Sequence, residues 1–282
     1  MASILTVGVA TVDDIYLVER FPAEDTKSRA IARRRARGGN AANTAVTLAK
    51  MDHQVGWAGA LGSDENAVFV CQDLVTAGVA LEACAEHDAP TPVSMVLLSS
   101  SSGSRTVVHH RILPEYRHQD FADVGLARYQ WVHFELREVE QTGPMLARCR
   151  GAEVPCSLEL ERPREGFESL LAVPELIFAP RALAHSLGCD TAHAMLAFLR
   201  DRAPRAWLVS SWGAQGAWAL APGEREPWHA PAMAPSPIVD TLGAGDVFNA
   251  GVVSALLEGR SGPEMLARGC ALAGSKCGRL GL

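Results

Sequence analysis

Short apolar runs alternate with longer segments of helical periodicity along most of the chain. The runs typical of buried strands span residues 4–10, 55–61, 131–135, 156–160, 176–179, 206–210 and 217–221. Apolar residues recur every three to four positions in residues 41–51, 66–77, 142–150, 191–202, 245–257 and 263–277. This alternation predicts an α/β protein with a mostly parallel sheet covered by helices on both faces. Ligands of such sheets bind outside the carboxyl ends of the strands.

Two stretches break the alternation, because strand-like residues follow one another there without a helix between them. They span residues 12–38 and 92–111, and the second contains a hairpin pattern, with runs at 93–99 and 105–111 joined by a Ser/Gly turn. We expect these stretches to form a small β-sheet lid over the strand ends, which would exclude water from a bound reactant. The remaining residues, 1–11, 39–91 and 112–282, are then the α/β core.

Charge and cysteine content restrict the class of partner and the compartment. The net charge of −6 over 282 residues argues against nucleic acid and anionic membrane as partners. The seven cysteines form no Cys-x-x-Cys pair, which indicates reduced thiols and a cytoplasmic protein. The histidines show no zinc-like spacing, and no apolar run approaches the ~18 residues of a membrane-spanning helix.

The segment 239–246, with sequence Val-Asp-Thr-Leu-Gly-Ala-Gly-Asp, carries the strongest functional signal. Residues 239–241 are interpreted as the end of a strand, Gly243, Ala244 and Gly245 as a small-residue turn, and Asp246 as the opening of an apolar helix. Such a turn leaves backbone N–H groups unpaired at a helix N-terminus, where they bind phosphate. Because a carboxylate repels an anion, Asp246 is better explained as a base that deprotonates an attacking hydroxyl.

Commoner nucleotide-binding motifs are absent. No Gly-x-x-x-x-Gly-Lys-Ser/Thr sequence occurs, so the chain is not a P-loop protein. Phe248 stands where a dinucleotide fingerprint would have its third glycine, which argues against an NAD-dependent oxidoreductase. A glycine-rich turn with an aspartate cap remains the plain structural alternative for segment 239–246.

A second glycine-rich helix start, at residues 38–43, has the sequence Gly-Gly-Asn-Ala-Ala-Asn. Asn40 and Asn43 are three residues apart and share one face of the first helical turn. Their amides offer donors and acceptors that suit the hydroxyls of a sugar, and Asp13 and Asp25 upstream add acceptors. For Asn40 alone, a helix N-cap is the competing interpretation.

The two motifs together resemble those of the ribokinase-like (PfkB) carbohydrate kinases. Within that family the chain is most similar to the ketohexokinases, the fructokinases that phosphorylate the C1 hydroxyl, through segments in the same order at residues 21–25, 103–106, 131–135, 159–165 and 273–278. The resemblance implies a ribokinase-like three-layer α/β/α sandwich whose β-sheet lid forms a dimer contact in many relatives. It also implies ATP as donor with Mg²⁺, often assisted by a monovalent cation such as K⁺.

The resemblance also implies roles for individual residues. The base would be Asp246 and the anion hole Gly243, Ala244 and Gly245. The sugar would contact Asp13, Asp25, Gly39, Asn40, Asn43 and Arg137. The nucleotide would contact Arg181, Gly213, Ala214, Gly216, Gly243, Gly245 and Cys277.

The chain departs from the family at the Asn-x-x-Glu motif that organises Mg²⁺ in many members. Residues 179–182 lack both side chains, as in the ketohexokinases. The protein contacts of Mg²⁺ are therefore unassigned, with Glu159 and Glu161 as candidates beside water. Ribose, tagatose, nucleosides and phosphorylated sugars stay open as substrates. A non-catalytic sugar-binding protein is the rival class, although it predicts loss of Asp246 or of the flanking glycines.

Overall fold

A nine-stranded sheet organises the computed structural model, which describes all 282 residues. The strands of the protein are β1 (Ser3–Val7), β2 (Thr11–Val18), β3 (Ala32–Gly38), β4 (Gln54–Ala58), β5 (Ala60–Leu61), β6 (Val79–Leu81), β7 (Ala85–Glu86), β8 (Val93–Ser99), β9 (Arg105–His110), β10 (Trp131–Glu135), β11 (Cys156–Glu159), β12 (Leu176–Phe178), β13 (Trp207–Ser211), β14 (Ala217–Leu220) and β15 (Trp228–Ala230). The helices are α1 (Asn40–Ala49), α2 (Glu65–Thr76), α3 (His118–Phe121), α4 (Val139–Gly151), α5 (Arg181–Ser186), α6 (Ala192–Arg200), α7 (Ala244–Leu257) and α8 (Gly262–Cys277).

The main sheet has the strand order β15-β14-β13-β12-β11-β10-β1-β4-β6. Its strands pair in parallel from β6 to β13, and only β14 and β15, at one edge, are antiparallel. The strand order reverses between β1 and β10, which pair directly. In an open α/β sheet the crevice beyond such a reversal is where ligands bind, so residues just after β1 and β10 are expected near the site.

Two apolar cores cover the two faces of this sheet. Alternate residues of each central strand point into different cores: Leu5 joins α4 and α6, whereas Ile4 joins α1, α2, α7 and α8. Because both faces are covered, the strands consist of nearly continuous apolar runs. The predicted α/β architecture is therefore confirmed.

A separate four-stranded sheet has the order β3-β2-β8-β9 and contains both stretches that lacked helices in the sequence. The hairpin predicted at residues 93–111 is confirmed, since β8 and β9 pair antiparallel from Val93 with His110 to Leu98 with Arg105. Three buried residues, Ile15, Val96 and Leu98, form its small core. We refer to these four strands and their connections as the small sheet.

One local prediction is wrong: residues 239–241 are not the end of a strand, and Asp246 therefore does not follow one. The N–H groups of Val239 and Asp240 both donate to the carbonyl of Cys277, at the end of α8, so they join no sheet ladder. The predicted run at 55–61 is also divided at Gly59 into β4 and β5, which belong to different sheets. Predicted helices agree with observed ones to within a few residues.

No helix of the structure has the length and apolarity needed to cross a bilayer. The seven cysteines are all free thiols.

Candidate functional site

Asp246 lies in the first turn of α7, two residues after the helix begins at Ala244. The helix follows Gly243, whose φ of 78° lies in the left-handed region that glycine adopts without strain. Helix α7 packs between α1 and α8 and is buried along most of its length, so Asp246 is only 6% exposed. The sequence therefore buries a carboxylate at a helix N-terminus, where the helix dipole favours its negative charge.

Asp246 accepts a hydrogen bond from Asn43, which is itself held by Arg37. The amide of Asn43, in α1, donates from Nδ2 to Asp246 Oδ2 at 2.6 Å. Asn43 Oδ1 accepts from the Arg37 guanidinium at 2.6 Å, and Arg37 also binds Asp73. Because the guanidinium charge orients the amide, the Asn43 N–H points at the carboxylate and supports its ionised form.

Burial and the negative charge of Glu159 raise the pKa of Asp246 well above its ordinary value, while the hydrogen bond from Asn43 opposes the shift. A carboxylate with a raised pKa is a stronger base once ionised. The arrangement therefore suits a group that accepts a proton during reaction.

Replacing Glu159 with glutamine should move the acidic limb of the kcat/KM profile to lower pH. The substitution removes the like charge that raises the pKa of Asp246, so the base stays ionised in more acidic solution. The measurement is kcat/KM against pH for the wild type and Glu159→Gln, with Glu161→Gln as the matched control on a weaker contributor. An unmoved limb in Glu159→Gln would show that another group controls it.

Sequence reasoning did not assign Glu135, although this residue fixes the second glycine-rich helix start. Glu135 ends β10, and its Oε2 accepts from the N–H groups of Val9, at 3.0 Å, and Ala41, at 3.2 Å. It thereby caps α1, which carries Asn40 and Asn43. Burial raises the pKa of Glu135 to about 7, with Arg137 opposing and Glu159 adding to the shift. Its position as the last residue of a predicted strand was the signal available from sequence.

The residues predicted for the sugar divide into a cluster and one outlier. Asp13 and Asn43 line a common cavity of about 110 Å³, and Asn40 donates to Glu159 Oε1 at 3.2 Å. Arg137 joins the cluster through Glu135 Oε1, at 3.4 Å, and through a stronger pair with Glu115. Asp25 instead lies in the exposed loop between β2 and β3.

Close backbone approach explains the glycines of this cluster. Gly39, with a φ of 95°, lies so near the Val9 carbonyl that any Cβ would overlap it. The neighbouring Gly38 leaves room for the Asp13 carboxylate. Burial raises the pKa of Asp13, while hydrogen bonds from Ser94 and Thr11 oppose the shift.

A larger cavity, of about 610 Å³, brings together the residues predicted for the nucleotide. Its lining includes Arg181, Gly213, Ala214, Gly216, Gly245 and Cys277, which lie on α5, on the connection between β13 and β14, on α7 and on α8. Ala244 also lines this cavity, whereas Gly243 lies beside Asn43, whose Nδ2 would be 3.6 Å from a Cβ on the glycine. The predicted turn at 243–245 is therefore limited to Gly243, because Ala244 and Gly245 already belong to α7. Residues 242–245 border both cavities: Leu242 lines the smaller one, and Ala244 and Gly245 line the larger one.

Arg105 is a further cavity residue that sequence reasoning did not assign. It begins β9 of the small sheet, lines the larger cavity, and donates from its guanidinium to Thr241 Oγ1 at 3.1 Å. The small sheet therefore supplies a positive charge to the cavity wall, where Arg181 supplies another. Two guanidinium groups suit a polyphosphate.

The donor set for Mg²⁺ is sparse but fits an ion carried by phosphate. No three acidic, histidine or cysteine side chains lie close enough together to hold a metal ion by themselves. Mg²⁺ in kinase sites binds mainly phosphate oxygens and water, with one or two carboxylates. Glu159 offers one, because its buried Oε2 has no hydrogen-bond partner and lies 3.7 Å from His133 Nε2.

Comparison with known proteins places the chain among sugar kinases. The sequence model described as "pfkB family carbohydrate kinase" matches residues 1–130 and 147–282. Ketohexokinase of Mus musculus is 36% identical, covering 99% of this chain and 97% of the relative. ATP-dependent ribose-1-phosphate kinase of Halopiger xanaduensis is 27% identical, with 91% and 86% covered.

Solved structures show the same fold. Ribokinase from Giardia lamblia superimposes with a TM-score of 0.87 at 18% identity, covering 100% of this chain and 94% of the other. Arabidopsis thaliana ribokinase, solved with ribose and ATP, gives a TM-score of 0.82 at 22% identity, with 99% and 94% covered. The predicted ribokinase-like fold is confirmed.

Proposed function

The chain belongs to the pfkB family of carbohydrate kinases, and on that premise we propose that it transfers the γ-phosphoryl group of ATP to the C1 hydroxyl of a ketohexose such as fructose. The observation that carries the proposal is the position of Asp246. It lies buried behind residues 242–245, which border a large cavity suited to ATP and a small polar cavity suited to a sugar.

In the proposed reaction, Asp246 accepts the proton of the sugar hydroxyl as its oxygen attacks the γ-phosphorus. A new P–O bond forms to the sugar, the bond between the γ-phosphorus and the β-bridging oxygen breaks, and ADP leaves. The N–H groups of Gly243 and Gly245 stabilise the charge that develops on the transferred group, whereas the N–H of Ala244 donates to the Thr241 carbonyl at 3.3 Å. When bound, Mg²⁺ neutralises phosphate charge, and Glu159 would hold it directly or through water.

The remaining assignments follow the two cavities. Asp13, Gly39, Asn40, Asn43 and Arg137 hold the sugar, with Asp25 added from its exposed loop. The nucleotide is held by the residues of the larger cavity: Arg105, Arg181, Gly213, Ala214, Gly216, Gly245 and Cys277. Support for this division is that Asp13 and Asn43 line the small cavity, whereas every residue assigned to the nucleotide lines the large one.

The substrate assignment is tested by a coupled assay of ADP release with fructose, tagatose, ribose, ribose 1-phosphate and adenosine. We expect the largest kcat/KM with a ketohexose, and ³¹P NMR should identify the 1-phosphate as product. The 36% identity to a ketohexokinase supports this expectation over ribose. A kcat/KM for ribose or adenosine above that for every ketohexose would overturn it while leaving the sugar-kinase activity in place.

Asn43→Ala should raise the sugar KM and lower kcat while the ATP KM changes little. The amide lines the sugar cavity and also donates to Asp246, so its loss removes a sugar contact and the orientation of the base. Loss of one buried hydrogen bond typically costs about 1–3 kcal/mol, which corresponds to about 5- to 150-fold. Steady-state kinetics with each substrate varied in turn give the answer.

Asn40→Ala is the matched comparison, since its amide contacts Glu159 and not Asp246. It should affect the sugar KM with a smaller change in kcat. If Asn43→Ala instead raised the ATP KM and left the sugar KM unchanged, the assignment of the sugar and the nucleotide to the two cavities would have to be reversed.

The small sheet also offers a surface for a homodimer. Met95 on β8 and Val108 on β9 lie opposite each other, so they project from the same face of the small sheet, and both are about half exposed. Exposed apolar side chains grouped in this way are typical of protein interfaces. Light scattering should give the mass of a dimer for the wild type and of a monomer for Val108→Asp; a monomeric wild type would contradict the proposal.

A further inference from the structure

Lys276 is the most deeply buried charged residue near the site, and the proposed mechanism does not use it. It lies in the last turn of α8 and is 0% exposed. Its Nζ donates to the main-chain carbonyl of Asp240 at 2.7 Å and lies 3.1 Å from Asp240 Oδ2. A lysine is almost never fully buried unless it is paired, so this ammonium is held in place by one residue through both its main chain and its side chain.

Asp240 fixes the backbone of the segment that leads to the anion hole. Its Oδ1 accepts from the N–H of Leu242 at 2.9 Å, and Gly243 follows directly. Burial opposes ionisation of Asp240, but the N–H groups of Leu242 and Gly281 and the charge of Lys276 together lower its pKa below the ordinary value. The carboxylate is therefore charged, and the ammonium beside it fixes the backbone that leads to the turn.

Lys276 contacts the peptide group that joins Asp240 to Thr241, and Thr241 lines the larger cavity. The carbonyl of Asp240 and the N–H of Thr241 belong to one planar trans peptide and point in opposite directions. An ammonium bound to the Asp240 carbonyl therefore polarises the N–H of Thr241, a residue that lines the larger cavity. The carbonyl of Cys277, next to Lys276, accepts from Val239 and Asp240 and holds the same segment from α8.

We propose that Lys276 is a built-in monovalent cation that positions and polarises the anion-hole segment 240–245, so that this kinase needs no K⁺ for turnover. The ammonium takes a carbonyl oxygen and a carboxylate oxygen, which are also the ligands that an alkali cation would take. With the ammonium 2.7 Å from the carbonyl, no room is left for a second cation on these two oxygens. The assignment rests on the proposed kinase activity but not on which sugar is phosphorylated.

Removal of the lysine charge is tolerable for folding because Asp240 has a second cation. Arg34, on β3 of the small sheet, donates to Asp240 Oδ2 at 2.7 Å and is itself partly exposed. Lys276→Met keeps the length and apolar volume of the side chain and leaves Asp240 paired with Arg34. Lys276→Arg keeps the charge. Arg268→Met, a partly exposed residue on the same helix that pairs with Glu258, is the matched control.

Wild type, both Lys276 variants and Arg268→Met are assayed in KCl, NH₄Cl and choline chloride at one ionic strength, with whichever sugar the wild type accepts. We expect the wild type and Arg268→Met to change by no more than about twofold between salts. Lys276→Met should lose about 10- to 100-fold in kcat in choline chloride, with much smaller changes in both KM values, and regain part of it in KCl or NH₄Cl. The kcat of Lys276→Arg in choline chloride should lie between those of the wild type and Lys276→Met.

The thermal unfolding midpoint gives a readout that does not depend on turnover. KCl should raise it for Lys276→Met relative to choline chloride and leave it unchanged for the wild type, because only the variant has a vacant position for the ion. A wild type that loses more than about tenfold in kcat without K⁺ or NH₄⁺ would overturn the proposal, whether or not the variant folds. A folded Lys276→Met with wild-type kcat in choline chloride would do the same. Absence of turnover with every sugar tested would instead count against the proposed function.

Discussion

Asp246→Asn should abolish turnover while the protein stays folded and still binds ATP. Asparagine has the same shape, and its amide oxygen can accept the hydrogen bond that Asn43 now donates to Asp246. It cannot accept the proton of the attacking hydroxyl. Loss of a general base typically costs about 10²–10⁴ in rate, and more where the group also orients the nucleophile. We therefore expect kcat to fall by at least that range with either substrate saturating.

Although kcat should fall, the stability of this variant and its affinity for ATP should stay the same or rise. Burial and the charge of Glu159 raise the pKa of Asp246, so the ionised form of Asp246 destabilises the folded protein. Folding favours the protonated form of such a group, and the stability that this preference provides is lost as pH rises through the raised pKa. A neutral asparagine avoids that loss and repels phosphate less, so the melting temperature and ATP affinity should hold or rise.

Thermal unfolding and calorimetric titration of ATP separate the chemical role from a structural one. Asp123→Asn, an exposed aspartate with no hydrogen bond, is the matched control and should retain wild-type kcat. A folded Asp246→Asn variant with more than about a tenth of wild-type kcat would contradict the assignment of Asp246 as the base. So would a loss of ATP binding as large as the loss of rate, because the residue would then support the nucleotide site.

The sequence was enough to predict the parallel sheet, because buried strands and amphipathic helices have different apolar periods. It also located both glycine-rich helix starts, since glycines near a helix N-terminus are visible as a local pattern. Residues 239–241 were misinterpreted because a β-branched pair beside an aspartate is typical of a strand end. Tertiary contacts decide that segment: the N–H groups of Val239 and Asp240 bond to the end of α8.

The support behind the site could not be predicted in the same way. Glu135 caps α1 from a strand more than ninety residues away in the chain, and Lys276 reaches Asp240 from the far end of α8. Contacts of this kind cannot be recognised from sequence, because the two partners are far apart in the chain and neither belongs to a short motif or to a periodic apolar pattern. The resemblance to a kinase family supplied Arg137 and Arg181, whereas Arg105 emerged only when the small sheet was positioned against the cavity.

Gly245→Val should reduce kcat by about 10²–10³ with little effect on sugar affinity or stability. Gly245 is the second residue of α7 and has ordinary helical backbone, and a Cβ built on it meets no atom within 4 Å. The free space around that Cβ is the larger cavity, so a valine would project where the phosphoryl group must approach the N–H groups of the helix start. Preorganised donors of this kind are each worth roughly 2.7–4 kcal/mol of transition-state stabilisation.

Strain of the turn cannot account for the expected loss, and this distinguishes Gly245 from its neighbour. Gly243 has a positive φ and lies against Leu282, so a side chain there would disturb the backbone, whereas valine is a better helix former than glycine at position 245. Gly151→Val, on α4, is the matched control because its Cβ also meets open space and lines neither cavity. Calorimetric titration of the sugar provides the decisive comparison. If sugar affinity fell as far as kcat, segment 243–245 would be a structural turn, and the anion hole would have to lie elsewhere.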